Sequence, residues 1–224
     1  MKTVLIHVLR TIGKDKIRNF FKQIEGIHAL MAKVMYGSGL RLMACIRLRI
    51  MNVDFDRKRI HVIGKGDKWR STVLPPTIIP ELKDHIETIK ALHHQDLQEG
   101  FGRVHIPAAL SRKYKNAATE TQWQYVFPSK KRSIDPRSGR EQRHHVMASG
   151  LQKAVKRASR RAGIDKLVTC HTLRHSFATA MLEDGINIRL LQELMGHADV
   201  KTPERYTHVM DKDISKITSP LESL

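Results

Sequence analysis

The chain has 224 residues, enough for one substantial domain or for one domain with a small appendage, and its 41% hydrophobic content can fill a core of ordinary size. Lys and Arg number 40 against 22 Asp and Glu, a formal charge of +18 that repels itself unless a polyanion neutralises it. Nucleic acid is the expected partner and an anionic membrane surface the competing one, while no stretch is long and apolar enough to be read as a transmembrane helix. Basic residues scattered through Met1–Arg18 without a small-residue cleavage site argue against a signal peptide. Cys45 and Cys170 lie far apart in apolar surroundings, which fits reduced, buried thiols and a cytoplasmic location better than a disulfide frame.

Residues 1–14 carry little information; Val4, Leu5, Val8 and Leu9 fit one turn or a short strand. Asp15–Gln23 reads as a first helix, with Ile17, Phe20, Phe21 and Ile24 on one face. Ile27–Tyr36 reads as a second, broken by Gly37-Ser38-Gly39, and Arg41 opens a third run to about Ile50. Asn52–Pro76 reads as a small antiparallel sheet in which Arg59–Ile63 alternates, Gly64–Lys68 turns and Ser71–Leu74 returns. The Gly-Lys-Gly turn lacks the Walker pattern, so nucleotide binding is rejected. From Thr77 to about His94, apolar residues recur at helical spacing; His85, His93 and His94 sit on this helix without the Cys or carboxylate spacing of a metal site.

Between Ile106 and His145, basic residues interleave with Trp123 and Tyr125, a composition suited to stacking on nucleic-acid bases. The plainer reading is a strand whose Trp123, Tyr125 and Phe127 share one face and fill core. Val146–Ala162 reads as a helix with Leu151, Ala154, Val155 and Ala158 inward, and Lys153, Lys156, Arg157, Arg160 and Arg161 outward, fit to lie along a phosphate backbone. His171–Glu183 and Ile188–Met195 read as helices stopped by Gly185 and Gly196, and Thr202–Val209 as a short helix carrying Tyr206. Asp211–Leu224 is a polar tail.

His171 and Arg174 are three apart and share one helix face near its start, where free N–H groups favour an anion. Taken alone, this stretch is equally well a buried helix with two histidines satisfied by the backbone. Downstream stand Leu194-Met195-Gly196-His197 and then Tyr206, nine residues after His197. The ordered set His-x-x-Arg, a Gly-His box and a spaced Tyr resembles the tyrosine recombinases of the phage integrase family. Tyr36-Gly37-Ser38-Gly39-Leu40-Arg41 resembles that family's first catalytic arginine, and Lys65 matches the mobile lysine of its hairpin. Residues 106–145 resemble the insertion that marks the integron integrases, as does the ending Ser219-Pro220-Leu221. Two positions depart from the pattern: Ala44 stands where the family has a glutamate, and Asn52 where it commonly has an aspartate.

The resemblance implies an α+β, mainly α-helical catalytic domain with a small antiparallel sheet over residues 15–210, after a short N-terminal remnant (1–14) and before a tail (211–224) exchanged between subunits. The family's preceding helical DNA-clamping domain is expected to be missing. The resemblance further implies a site-specific DNA recombinase that cleaves and rejoins strands through a 3′-phosphotyrosyl link, with no metal or other cofactor. Arg41, Lys65, His171, Arg174, His197 and Tyr206 form its catalytic set, with Tyr206 the nucleophile. Lys68, Trp123, Arg143, His144, His145, Lys153, Lys156 and Arg157 are the candidate DNA contacts. DNA attachment sites, including folded single-stranded hairpins with extruded bases, are the implied partners, with assembly into a tetramer on DNA and no membrane. The rival readings are a DNA-binding remnant that no longer recombines, and a nicking-closing activity like that of type IB topoisomerases.

Overall fold

The computed structural model describes residues 11–63, 69–196 and 217–224. The expectations for the strand or turn at 4–9 and for the helix at 202–209 lie outside those residues, as do Lys65, Lys68, His197 and Tyr206. The first described helix, α1 (Lys14–Phe21), buries Ile17 and Phe20. Helix α2 (Gly26–Ser38) is the centre of the molecule, with Ala29–Ala32 and Val34–Ser38 all buried. A helix apolar on nearly every side belongs inside a core, and its one outward cation, Lys33, reaches Glu81 at 2.6 Å. The helix runs through Gly37 and Ser38 and stops two residues later than the triplet suggests. Gly39 adopts φ +61°, a left-handed cap that other residues resist.

Arg41 is the residue before α3 (Leu42–Ile46), which is much shorter than the expected run to Ile50. The chain leaves the helix because another segment takes its backbone groups. Val126 N–H donates to Leu48 O at 2.8 Å, and Ile50 N–H donates to Gln124 O at 3.1 Å. Residues that pair across to 124–126 cannot also bond within a helix. A turn of 3-10 helix, Ile50–Asn52, then leads into β1 (Val53–Asp54), β2 (Arg59–Ile63) and β3 (Trp69–Val73). The three strands form one antiparallel sheet in chain order, with Arg59 opposite Val73 and Ile63 opposite Trp69. Thr72 ties the sheet to the end of α2 by donating its hydroxyl to Ser38 O at 2.8 Å.

Helix α4 (Ile79–Gln98) follows a 3-10 turn at Pro76–Ile78 and runs one turn beyond the periodicity's end at His94. The region that follows holds α5 (Ala108–Lys113) and the hairpin β4 (Ser133–Ile134) and β5 (Glu141–Gln142). Trp123, Tyr125 and Phe127 are all buried, as expected. They are not one strand face, however: Trp123 ends a 3-10 turn, and Tyr125 bridges Arg49. Trp123 and Tyr125 join a small separate core with Val104 and Ile106, whereas Phe127 enters the main one.

Helices α6 (Ala148–Arg161), α7 (Cys170–Glu183) and α8 (Ile188–Met195) close the fold. Leu151, Ala154, Val155 and Ala158 of α6 face the main core, and α7 lies along α2. Helix α8 packs on α7 and β3 through Leu191, Leu194 and Met195 against Phe177, Met181 and Val73. The fold is therefore α+β and mainly helical, with one small antiparallel sheet and a two-stranded hairpin. The last eight residues lie against the same chain. Ser219 Oγ donates to Gly37 O at 2.7 Å, Arg18 Nε donates to Leu224 O at 3.0 Å, and Thr77 Oγ1 donates to Glu222 Oε1 at 2.9 Å.

Candidate active site and nucleic-acid interface

The best-defined polar feature is the C-terminal end of α8. The last carbonyls of a helix have no intrahelical donor and carry partial negative charge. Here Arg174 Nη2 donates to Met195 O, and Arg41 Nη2 donates to Gly196 O at 3.2 Å. Arg174 Nη1 also donates to Gly39 O, 135 positions earlier in the chain. Two arginines distant in sequence are thus brought to one turn of backbone. Gly196 makes that turn possible with φ +64°; a Cβ there would lie 2.6 Å from Arg70 Cδ.

Arg174 is 4% exposed, and burial foremost, then the charges of Arg41 and Arg70, bring its pKa down to about 9. It stays a cation at neutral pH, packed in a place where a cation is expensive. His171, one turn earlier on α7, is exposed, with its ring centroid 6.5 Å from that of His175. Thr169 starts this helix in a reciprocal cap, its Oγ1 accepting from Thr172 N–H at 3.3 Å and its own N–H donating to Thr172 Oγ1 at 3.0 Å.

In front of Arg41 opens a cleft of about 1590 Å³. One wall is α3 and the sheet, with Arg41, Ala44, Arg47, Asn52, His61 and Arg70; the other is the 105–147 region, with His105, Tyr125, Arg137, His144 and His145. Position 44 carries no carboxylate, and among the described residues the hydrogen-bond partner of the Arg41 guanidinium is the Gly196 carbonyl. Tyr125, His144 and His145 form a ring cluster, with centroids 5.5 Å (Tyr125–His144), 5.3 Å (Tyr125–His145) and 4.0 Å (His144–His145) apart. Burial, before neighbouring cations, lowers the pKa of both histidines, so they are neutral at physiological pH and present π faces rather than charge.

Two expectations change once side chains are seen. Arg143, expected at the DNA, is tied into the protein: Nε donates to Asp96 Oδ2 at 2.6 Å, Nη2 to Asp96 Oδ1 at 2.8 Å, and Nη1 to Ser129 O and Lys130 O at 3.0 and 2.7 Å. Trp123 is 7% exposed, so its ring serves the small core and leaves little surface for stacking on a base. Arg49 is also held inward: it is half-buried, lies 4.6 Å over the Tyr125 ring and donates to Trp123 O and, at 2.8 Å, His105 O. Each of these positions faces inward because the 105–147 region folds back on residues 48–50 and on α4, which sequence spacing could not reveal. Lys153, Lys156 and Arg157 are exposed on α6, as expected, but none lines the cleft.

Asp96 anchors the 105–147 region, 4% exposed and also 3.2 Å from Arg132. Burial alone would raise its pKa, but the hydrogen bonds and charges of Arg143 and Arg132 hold it below the ordinary carboxylate value. A depressed folded pKa stabilises above the unfolded pKa of about 3.9 and is lost as pH falls through the folded value. Asp96→Asn should therefore cost about 3 kcal/mol at neutral pH, by leaving a buried guanidinium unpaired. Thermal melts from pH 7 downward check this: the gap between the two proteins should close below about pH 4, and a constant gap would refute the electrostatic account.

Arg70 is the residue that sequence reading passed over. No spacing rule marks an arginine in a strand after a basic turn, yet its Nη1 donates to Leu194 O and its chain lies against Gly196.

Comparison with known proteins agrees with this geometry. The model of the phage integrase family matches residues 10–213. An "Integrase/recombinase" of Escherichia coli is 42% identical over 211 residues, covering 94% of this chain and 63% of that protein. "Tyrosine recombinase XerD" of Listeria innocua is 32% identical over 196 residues, covering 85% of this chain and 54% of the relative. The chain thus spans somewhat over half the length of these relatives. The solved structure of the XerH site-specific recombinase bound to its difH substrate shares the fold, with a TM-score of 0.58 at 20% identity, over 96% of this chain and 51% of that one. With the arginines of its ordered motif set on one helix end and a family match over most of its length, this chain belongs to the phage integrase family of tyrosine recombinases.

Proposed function

We propose that this chain is the catalytic portion of an integron-integrase-type site-specific DNA recombinase, spanning residues 15–210 with the 106–145 insertion, and that it works through a 3′-phosphotyrosyl intermediate. The observation that carries the reading is the meeting of Arg41 and Arg174 at the carbonyl end of α8, beside an open cleft in a chain of charge +18. Phosphoryl transfer is mostly positioning and charge stabilisation. The two guanidiniums hold the non-bridging oxygens of the scissile phosphodiester. Tyr206 Oη attacks phosphorus and its proton passes to His171, while His197 donates a hydrogen bond to a phosphate oxygen. The P–O5′ bond breaks as Lys65 protonates the leaving oxygen. The new ester keeps the energy of the old one, so a second 5′ hydroxyl can reverse the steps and complete exchange. The half-buried rings of His144 and His145, packed against the buried Tyr125, support the integron-type reading, since neutral rings in a basic cleft suit unpaired bases. The α6 cations track the backbone farther out, and the tail at 211–224 passes to a neighbour when a tetramer forms on DNA.

Titrating a labelled DNA hairpin at several salt concentrations tests the electrostatic half of this reading. Affinity should fall steeply, with log K declining by roughly 0.9 per phosphate contacted for each unit of log salt. Binding indifferent to salt would reject DNA as the partner of this charge.

A further inference from the structure

Three successive carbonyls close α8, and each takes a guanidinium from a different element. Leu194 O accepts from Arg70 of β3, Met195 O from Arg174 of α7, and Gly196 O from Arg41 before α3. Among the described residues no carboxylate pairs with any of the three. A helix end supplies only about half a negative charge, so three gathered cations still call for an anion. They differ in access: Arg41 and Arg70 line the cleft and Arg174 does not. Arg70 Nε is buried and has no hydrogen-bond partner among the described residues.

We propose that Arg70 is a third phosphate-binding residue of this site, presenting its guanidinium beside that of Arg41 to a DNA phosphodiester in the cleft. The inference rests on the recombinase reading above. The end of α8 is then a common anchor: it fixes three long, flexible side chains through backbone carbonyls and leaves their remaining N–H groups to the substrate. An arginine so held loses little further freedom when the phosphate arrives. Burial, then the charge of Arg41, lowers the Arg70 pKa to about 10, so the side chain is charged near neutral pH yet destabilised until an anion enters.

The test compares the wild-type chain with Arg70→Gln, Arg70→Lys and, as a charge control at an exposed position of α4 that does not line the cleft, Lys90→Gln. Each is titrated with a labelled DNA hairpin by fluorescence anisotropy over a series of salt concentrations. Arg70→Gln should lower the slope of log K against log salt by about 0.9, one phosphate contact, and weaken binding about tenfold. Arg70→Lys and Lys90→Gln should keep the wild-type slope. The slope counts phosphate contacts, so a merely structural Arg70 would leave it unchanged, and that result overturns the proposal while the recombinase reading stands. A slope lost equally in Arg70→Lys also overturns it. A wild-type chain that does not bind the hairpin takes down the recombinase reading and this one with it. Should Arg70→Gln fail to fold by circular dichroism, phenylglyoxal labelling of the wild-type chain decides. Protection of Arg70 together with Arg41 by the hairpin supports the proposal, and labelling of Arg70 unchanged by DNA overturns it.

Discussion

Tyr206→Phe is expected to abolish covalent attachment to DNA, by more than about a thousandfold in adduct yield, because the nucleophile of a single-path reaction is removed. Only the phenol oxygen is lost and the ring remains, so affinity for the same DNA should change by no more than about a factor of two, the usual effect of a substitution that disturbs no packing. A nicked hairpin that traps the intermediate, run on a denaturing gel, reads the adduct directly. Arg174→Ala should also stop attachment, but it differs in the control lane: a phosphate contact goes with it, and binding weakens too. An adduct that survives Tyr206→Phe would move the nucleophile elsewhere. A wild-type chain that binds the hairpin and never forms an adduct would favour a DNA-binding remnant, the reading that Ala44 in place of a glutamate keeps alive.

Gly39→Ala should be strongly destabilising. Gly39 stands at φ +61°, where an L side chain costs about 1 kcal/mol. An added Cβ would also sit 2.6 and 2.7 Å from two ring carbons of Phe177, which is fully buried between α7 and α8 and cannot swing aside. Overpacking of this kind costs a further 1–3 kcal/mol, so the loss should total about 3 kcal/mol. For a chain of this size that is a fall of roughly 8 °C in Tm. The same glycine gives Arg174 its carbonyl partner, so a variant that still folds should cleave poorly as well. Differential scanning calorimetry settles the matter: a melting point within 2 °C of wild type (a margin of about 1 kcal/mol) would mean that the cap and the ring both yield.

Helix α8 illustrates what could be read early and what could not. Its limits, Ile188–Met195, match the apolar spacing and the glycine stop to the residue, because both signals are local. Helix α3 was overestimated because the carbonyl and N–H groups of residues 48 and 50 are claimed by residues 124 and 126, a partner no local pattern announces. Arg143 shows the same limit for a site residue. In sequence it is one more cation beside two histidines, and only the fold brings Asp96 to it.

By itself, then, the sequence pointed to an anionic partner, through its charge, and determined the extents of α6, α7 and α8, through periodicity and capping residues. It also determined the family, through an ordered set of functional residues whose types and spacing few other chemistries require. The tertiary structure alone decided which cations are free and which are spent. A guanidinium reaches some distance from its backbone, and its role depends on whether a carboxylate or carbonyl from a remote segment lies within that reach. Arg49 and Arg143 meet such groups and become struts of the 105–147 region. Arg41, Arg70 and Arg174 meet the end of one helix, whose partial charge gathers three cations without neutralising them.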